Sequence, residues 1–238
     1  MEPADTGLRG RLPAGALRPR RHDAGESGLF PREAAALPER QGLRQRFARA
    51  LHSALGLNGE TVVIGHSLGA MAGLLASIDH PAQFRRLVLI GASPRYTDTA
   101  DYRGGFTAED IKTIYSAVNQ DYAQWSTRLA AAAMGNPDRP LLTQRFADSI
   151  LGIPPDMMLT ILCSVLQTDH RDQLARVRVP TLLLHSRDDD FVPTAVAEYL
   201  HAHIPASTLV FVDAEGHLPH VSAPEGVIAA IGDFIAPP

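Results

Sequence analysis

The chain has 238 residues, enough for one α/β-sized domain with a sizeable core. Apolar residues make up 45% and charged residues 20%, and the net charge of -4 gives no field suited to nucleic acid or an anionic membrane. With no run of about 18 apolar residues and a single cysteine, a bilayer-spanning helix, an internal disulfide and a cysteine metal cluster are all excluded.

The first fifty residues are rich in Arg, Ala, Pro and Gly and hold no strand-like run. Residues 10–21 and 31–40 follow neither a period of 2 nor a sustained period near 3.6. No apolar leader core follows the N-terminal arginines, so a cytoplasmic protein is expected. From Leu43 the pattern turns helical through Phe47, Leu51, Ala54 and Leu55, and Gly56 with Asn58-Gly59 closes it. A buried strand is predicted over 61–64 and a helix over 69–78, stopped at His80-Pro81. Further strands are expected at 87–90, 181–185 and 208–212, with a closing helix over 224–235. Short apolar strands separated by helices imply a mainly parallel sheet covered on both faces, hence an α/β fold.

Between about 94 and 172 the alternation stops, and only helices are predicted. An all-helical insertion between two strands reads as a cap over the C-terminal edge of the sheet, where ligands bind in open α/β folds. The organisation expected is thus an atypical segment at 1–50 and an α/β domain at 51–238 carrying that cap. Cys163 lies in an apolar helical run and is expected to be a buried, inert thiol.

Gly65-His66-Ser67-Leu68-Gly69 stands between the strand at 61–64 and the helix after it. Strand, G-x-S-x-G and helix in that order make a nucleophile elbow, with small residues on both flanks relieving crowding in a strained turn. Ser67 is therefore the candidate nucleophile, and the backbone N–H of Leu68 supplies half of an oxyanion hole. Asp188-Asp189-Asp190 follows the strand at 181–185, and Glu215-Gly216-His217 follows the strand at 208–212. Ser, Asp and His, each just past a strand end, can meet at one sheet edge in α/β-hydrolase order. His217 would take the Ser67 proton, and an aspartate would fix its tautomer. Asp189, four before Pro193, is favoured, with Asp188 second. His66 is expected to point away along the turn. His220 is close enough to His217 to touch the site, and the other histidines are read as surface or satisfied groups. No spacing matches a metal site, and no cofactor is implied.

These motifs resemble the RsbQ family of α/β-hydrolases, bacterial stress-response regulators related to the plant strigolactone and karrikin receptors. The resemblance runs from about 55 to 235. It rests on the elbow through Gly73, on Ile90-Gly91-Ala92-Ser93-Pro94-Arg95-Tyr96 with Tyr102-Arg103-Gly104-Gly105-Phe106, on Thr168-Asp169-His170-Arg171-Asp172-Gln173-Leu174, and on Glu215-Gly216-His217-Leu218-Pro219-His220. The family places its acid four before the proline, as Asp189 stands here. It implies a four-helix cap over an apolar pocket holding a small ester or lactone-like ligand. Phe106, Trp125 and Met134 are candidate lining residues, with ordinary cap packing the alternative for each. It also implies a sensor role with a PAS-domain PP2C phosphatase as partner.

The first fifty residues depart from this family, which carries there its first strands and a His-Gly segment giving the second oxyanion N–H. Permitted codons for residues 10–21, read one nucleotide later, give Asp-Asp-Tyr-Arg-Gln-Val-Leu-Phe-Asp-His-Val-Gly, which resembles the family's segment. A frame-shifted N-terminal stretch is the expectation, and a divergent or disordered tail is the alternative. Without those strands one sheet flank and half the oxyanion hole would be missing, impairing any hydrolase activity.

Overall fold

The computed structural model describes residues 59–236. The expectations for residues 1–50, and for the helix from Leu43 to Leu55, lie outside the described residues. Strand β1, Thr61–His66, leads into helix α1, Leu68–Asp79, and β2, Phe84–Ile90, follows a short 3-10 turn. After the cap come β3 (Thr181–Asp188), α6 (Thr194–His203), β4 (Ser207–Glu215), the single turn α7 (Pro219–Ser222) and α8 (Pro224–Ile235). The four strands lie in the order β1-β2-β3-β4, all pairs parallel. Because every strand runs the same way, His66, Ile90, Asp188 and Glu215 all end at one edge of the sheet.

Both faces are apolar, as a parallel sheet requires. Alternation along the strands sends Leu87, Leu89 and Leu183 into the core with α1 and α6, and Val88, Ile90, Leu182 and Leu184 into a second core with α8. The first core is the larger. It includes Met71 and Leu74 of α1 and Val196 and Leu200 of α6, all essentially without exposure. Among the described residues β1 is an edge strand with a neighbour on one side only, so the run 61–64, expected to be buried, is partly open and Ile64 is 55% exposed. The elements predicted from residue 61 onward are all present, each strand a few residues longer than its apolar run: backbone pairing continues past the residues that are buried on both faces.

Four helices fill the interval between β2 and β3: α2 (Ala108–Gln120), α3 (Tyr122–Met134), α4 (Pro140–Leu151) and α5 (Pro155–Leu166). Their boundaries follow local chemistry. Thr107 and Asp110 form a reciprocal capping box at the start of α2, Asp121 caps α3, and Gly135 ends α3 in the left-handed conformation. Prolines open α4 and α5, where a missing N–H costs nothing. The chain bends by 104° between those two helices. Val118, Trp125, Ala130, Ala147, Ile150 and Met158 make a core internal to the cap. No single helix among the described residues is long and apolar enough to cross a membrane.

The chain crosses into and out of the cap at a tied neck. Arg95 Nη1 donates to Asp169 Oδ2 at 2.6 Å and Arg171 Nη2 to the same oxygen at 2.8 Å. The His170 amide donates to Pro94 O at 2.9 Å, and the Arg171 guanidinium lies 4.9 Å over the Tyr102 ring. Burial opposes ionisation of Asp169, but the hydrogen bonds from Arg171 and Arg95 outweigh it and hold the carboxyl well below its usual range. Cys163 is half-buried rather than buried, because it lies on a side of α5 that only partly faces the core, with Gln167 against its sulfur.

Candidate active site

Ser67 sits between the end of β1 and the first turn of α1 with φ 51° and ψ -115°, the only non-glycine residue with positive φ among the described residues. Such a backbone is costly and persists only where its surroundings fix it. Here the Ser67 amide donates to Ile90 O at 2.9 Å, tying the turn to the end of β2. A side chain at Gly65 would collide with the Ala70 backbone, whereas one at Gly69 would meet nothing among the described residues. Among the described residues only the first of the two flanking glycines relieves crowding, against the expectation for both. Leu68 is the first helical residue, so its N–H has no intrahelical acceptor.

Asp189 and His217 meet just past the ends of β3 and β4. His217 Nδ1 donates to Asp189 Oδ2 at 2.8 Å, and the side chains are 9% and 1% exposed. The other carboxylate oxygen, Oδ1, accepts from the amides of Phe191 at 2.8 Å and Val192 at 3.1 Å. Burial opposes ionisation of Asp189, but His217 and the two amides hold its carboxyl below the ordinary range. Asp188 is instead the last residue of β3, exposed, and engaged through its carbonyl by the Gly216 amide. Gly91, one residue beyond β2 at φ 56°, borders the imidazole; a Cβ there would lie 3.0 Å from His217 Cε1. The Ser67 amide is hydrogen-bonded to Ile90 O and His217 abuts Gly91, so serine and imidazole flank the same strand end.

His66 does not point away along the turn. Its Nε2–H donates to His217 O at 2.8 Å, and its ring lies 4.8 Å from that of His217 and 4.6 Å from that of His220. The acceptor lies 151 residues further along the chain, out of reach of any local pattern. Burial, and the proximity of His217 and His220, push His66 down to about 3. Burial and then His217 likewise lower His220. His185, on β3, is 0% exposed and is pushed down to about 4 by burial. Neither of its ring nitrogens has a hydrogen-bond partner among the described residues.

The candidate lining residues separate. Phe106 is buried beside Tyr96 and Phe191, with ring centroids 6.3 and 6.1 Å away. The Tyr96 hydroxyl is 3.3 Å from Ser67 Oγ, which links this aromatic group to the elbow. Phe191 in turn lies 5.4 Å from the His217 ring. Trp125 packs inside the cap, stacked 5.7 Å from Tyr122, and belongs to the cap's own core. Met134 has no exposure and packs with Leu218 of the histidine loop. Sequence reasoning did not foresee the contacts of Tyr96, Gly91 and His66; of these only Gly91 carried a usable signal, a glycine directly after a strand. Among the described residues no group of three or more His, Cys, Asp or Glu side chains could hold a metal ion.

A family model for the alpha/beta hydrolase fold matches residues 45–224. The chain is 37% identical over 174 residues to the Karrikin insensitive 2 receptor CA of Petunia hybrida, covering 73% of this chain and 64% of that protein. It is 40% identical over 162 residues to the Strigolactone esterase D14 of Arabidopsis thaliana, covering 68% of this chain and 60% of the relative. It thus spans less than two-thirds of the length of these relatives. Among solved structures, a hydrolase from Oleispira antarctica matches with a TM-score of 0.77 at 25% identity, over 82% of this chain and 71% of that one. With a family model matched over most of its length, the chain belongs to the alpha/beta hydrolase fold family.

Proposed function

We propose that the chain is a serine hydrolase of small apolar esters or lactones. The observation that carries the reading is the 2.8 Å bond from His217 Nδ1–H to the buried Asp189 carboxylate, set across one strand end from a serine held at positive φ. With Nδ1 donating to Asp189, Nε2 is the basic nitrogen. It takes the Ser67 proton as Oγ attacks the ester carbonyl, and the Leu68 amide stabilises the oxyanion. The tetrahedral intermediate collapses as His217 returns that proton to the leaving alcohol, leaving an acyl-serine. Water, deprotonated by His217, then releases the acid and restores Ser67. The aromatic group of Tyr96, Phe106 and Phe191 gives the side of the site beside Ser67 an apolar lining suited to such a ligand.

Labelling with a fluorophosphonate tests this directly. Wild type should be labelled and hydrolyse p-nitrophenyl acetate, and Ser67→Ala should do neither while keeping its fold. Equal labelling of the Ala variant would end the serine assignment.

A second reading is favoured by the 37% identity to a karrikin receptor: the same pocket serves a sensor, turning over slowly and signalling through its cap. A PAS-domain PP2C phosphatase is the partner we propose, on the resemblance to RsbQ. In that case ligand should stabilise Ser67→Ala against heat, and ligand-bound protein should raise the phosphatase rate.

A further inference from the structure

Cap and histidine loop meet at one buried contact. The His217 amide donates to Ala133 O, in the last turn of α3, at 2.7 Å. Gly216, at φ 80°, passes so close to the Met134 carbonyl that no side chain could be added there. The side-chain amide of buried Asn136 donates to Met134 O on the cap and, at 3.2 Å, to Glu215 O on the loop. Arg139 donates to Asn136 Oδ1 through Nη2 and to Ser222 O through Nη1 at 2.7 Å. Ser222 returns to the same loop through its hydroxyl, toward Glu215 O and Leu218 O. On the opposite side His66 holds the His217 carbonyl. The backbone of His217 is thus held at its N–H by the cap and at its C=O by His66.

The geometry points to Asn136 and Arg139 as positioning residues for His217, through which the seating of the cap sets the alignment of the base. This rests on the serine-hydrolase reading of the same site. Neither residue touches the imidazole. Asn136 acts by holding the α3 terminus and the strand end Glu215 at a fixed separation, so that Ala133 O stays under the His217 amide. A tilt of the loop would move Nε2 relative to Ser67 Oγ without emptying the pocket, so the loss should fall on kcat rather than KM.

Full-length wild type, Asn136→Ala, Arg139→Met and Arg139→Lys would be compared on p-nitrophenyl acetate and on the rate of fluorophosphonate labelling. Asn136→Ala should lower kcat and labelling rate by about 10- to 100-fold with KM within about twofold, since a misplacement of about 1 Å can cost about 100-fold. Arg139 is exposed, so its variants test the role even where Asn136→Ala does not fold. Arg139→Met should show a smaller kcat loss that Arg139→Lys reverses, because lysine keeps a donor for Ser222 O. A readout independent of turnover is the far-downfield proton resonance of His217 Nδ1–H, identified by its disappearance in Asp189→Asn. It should broaden or move in Arg139→Met and return in Arg139→Lys. If Ser67→Ala abolishes labelling while the Asn136 and Arg139 variants keep wild-type kcat, labelling and proton resonance, the positioning role is overturned and the serine-hydrolase reading stands. If Ser67→Ala is itself labelled, the underlying reading fails.

Discussion

Replacing His185 by leucine should stabilise the fold, and by an amount that grows as the pH falls. His185 lies on β3 in the core face shared with Leu183, with no exposure and no hydrogen-bond partner for either nitrogen among the described residues. Burial lowers it from 6.5 to about 4. Between those values the unfolded chain binds a proton that the folded chain refuses, so stability rises with pH across the window and is lost as pH falls through it. Each pH unit below 6.5 within that window costs roughly 1.4 kcal/mol, so the penalty works out at about 2 kcal/mol at pH 5 and about zero at pH 7.5. Leucine of similar size removes this penalty and also the cost of burying unpaired polar atoms, about 1–3 kcal/mol at any pH. A chain of this size gains about 2–4 °C in melting temperature per kcal/mol. His185→Leu should therefore melt above wild type at pH 7.5, with the gap widening by about 4–8 °C at pH 5. His66, lowered to about 3, destabilises both proteins equally in acid and cancels from the difference. Thermal melts followed by circular dichroism at the two pH values decide the matter. A gap that is the same at both would show that His185 does not resist protonation, and the buried-neutral reasoning would fall.

Asp189→Asn should keep the fold and lower turnover steeply, on the scale of 10⁴ seen for the equivalent change in a serine protease, because the amide favours the wrong imidazole tautomer; steady-state kinetics beside Asp188→Asn would check it, and greater damage from Asp188→Asn would move the acid by one position. Gly91→Ala should slow phosphonate labelling, since the new methyl would lie 3.0 Å from His217 Cε1 on a backbone with φ 56°; the labelling time course of folded variant protein is the measurement, and a wild-type rate would mean that the loop absorbs the crowding.

What was legible in the sequence was local. The elbow could be read because an apolar strand, the Gly65 to Gly69 stretch and an apolar helix follow one another within 18 residues, Thr61 to Ile78. The spacing to Pro193 singles out Asp189 among the three aspartates, and its side chain is the one that accepts the Phe191 and Val192 amides. The miss at His66 has the opposite cause: its orientation is decided by a carbonyl on the last strand's loop, which no neighbouring residue announces. Trp125 and Met134 show the same limit. Helical spacing marks them as inward-facing, but whether inward means the cap's interior, the histidine loop or a pocket depends on how α3 lies across the others. Asn136 carried no signal at all, since an asparagine after a glycine at a helix end is ordinary turn chemistry.

The cap is tied to the sheet at both ends of its span, by the Arg95–Asp169–Arg171 neck and by the hydrogen bonds of Asn136 and Arg139 to Glu215 O and Ser222 O. Between these ends Tyr115 and Leu166 of the cap share one buried core with Leu87 and Leu183 of the sheet. Lifting the cap as a body would break those bonds and reopen part of that core together, so cap and sheet should unfold as one cooperative unit rather than as two domains.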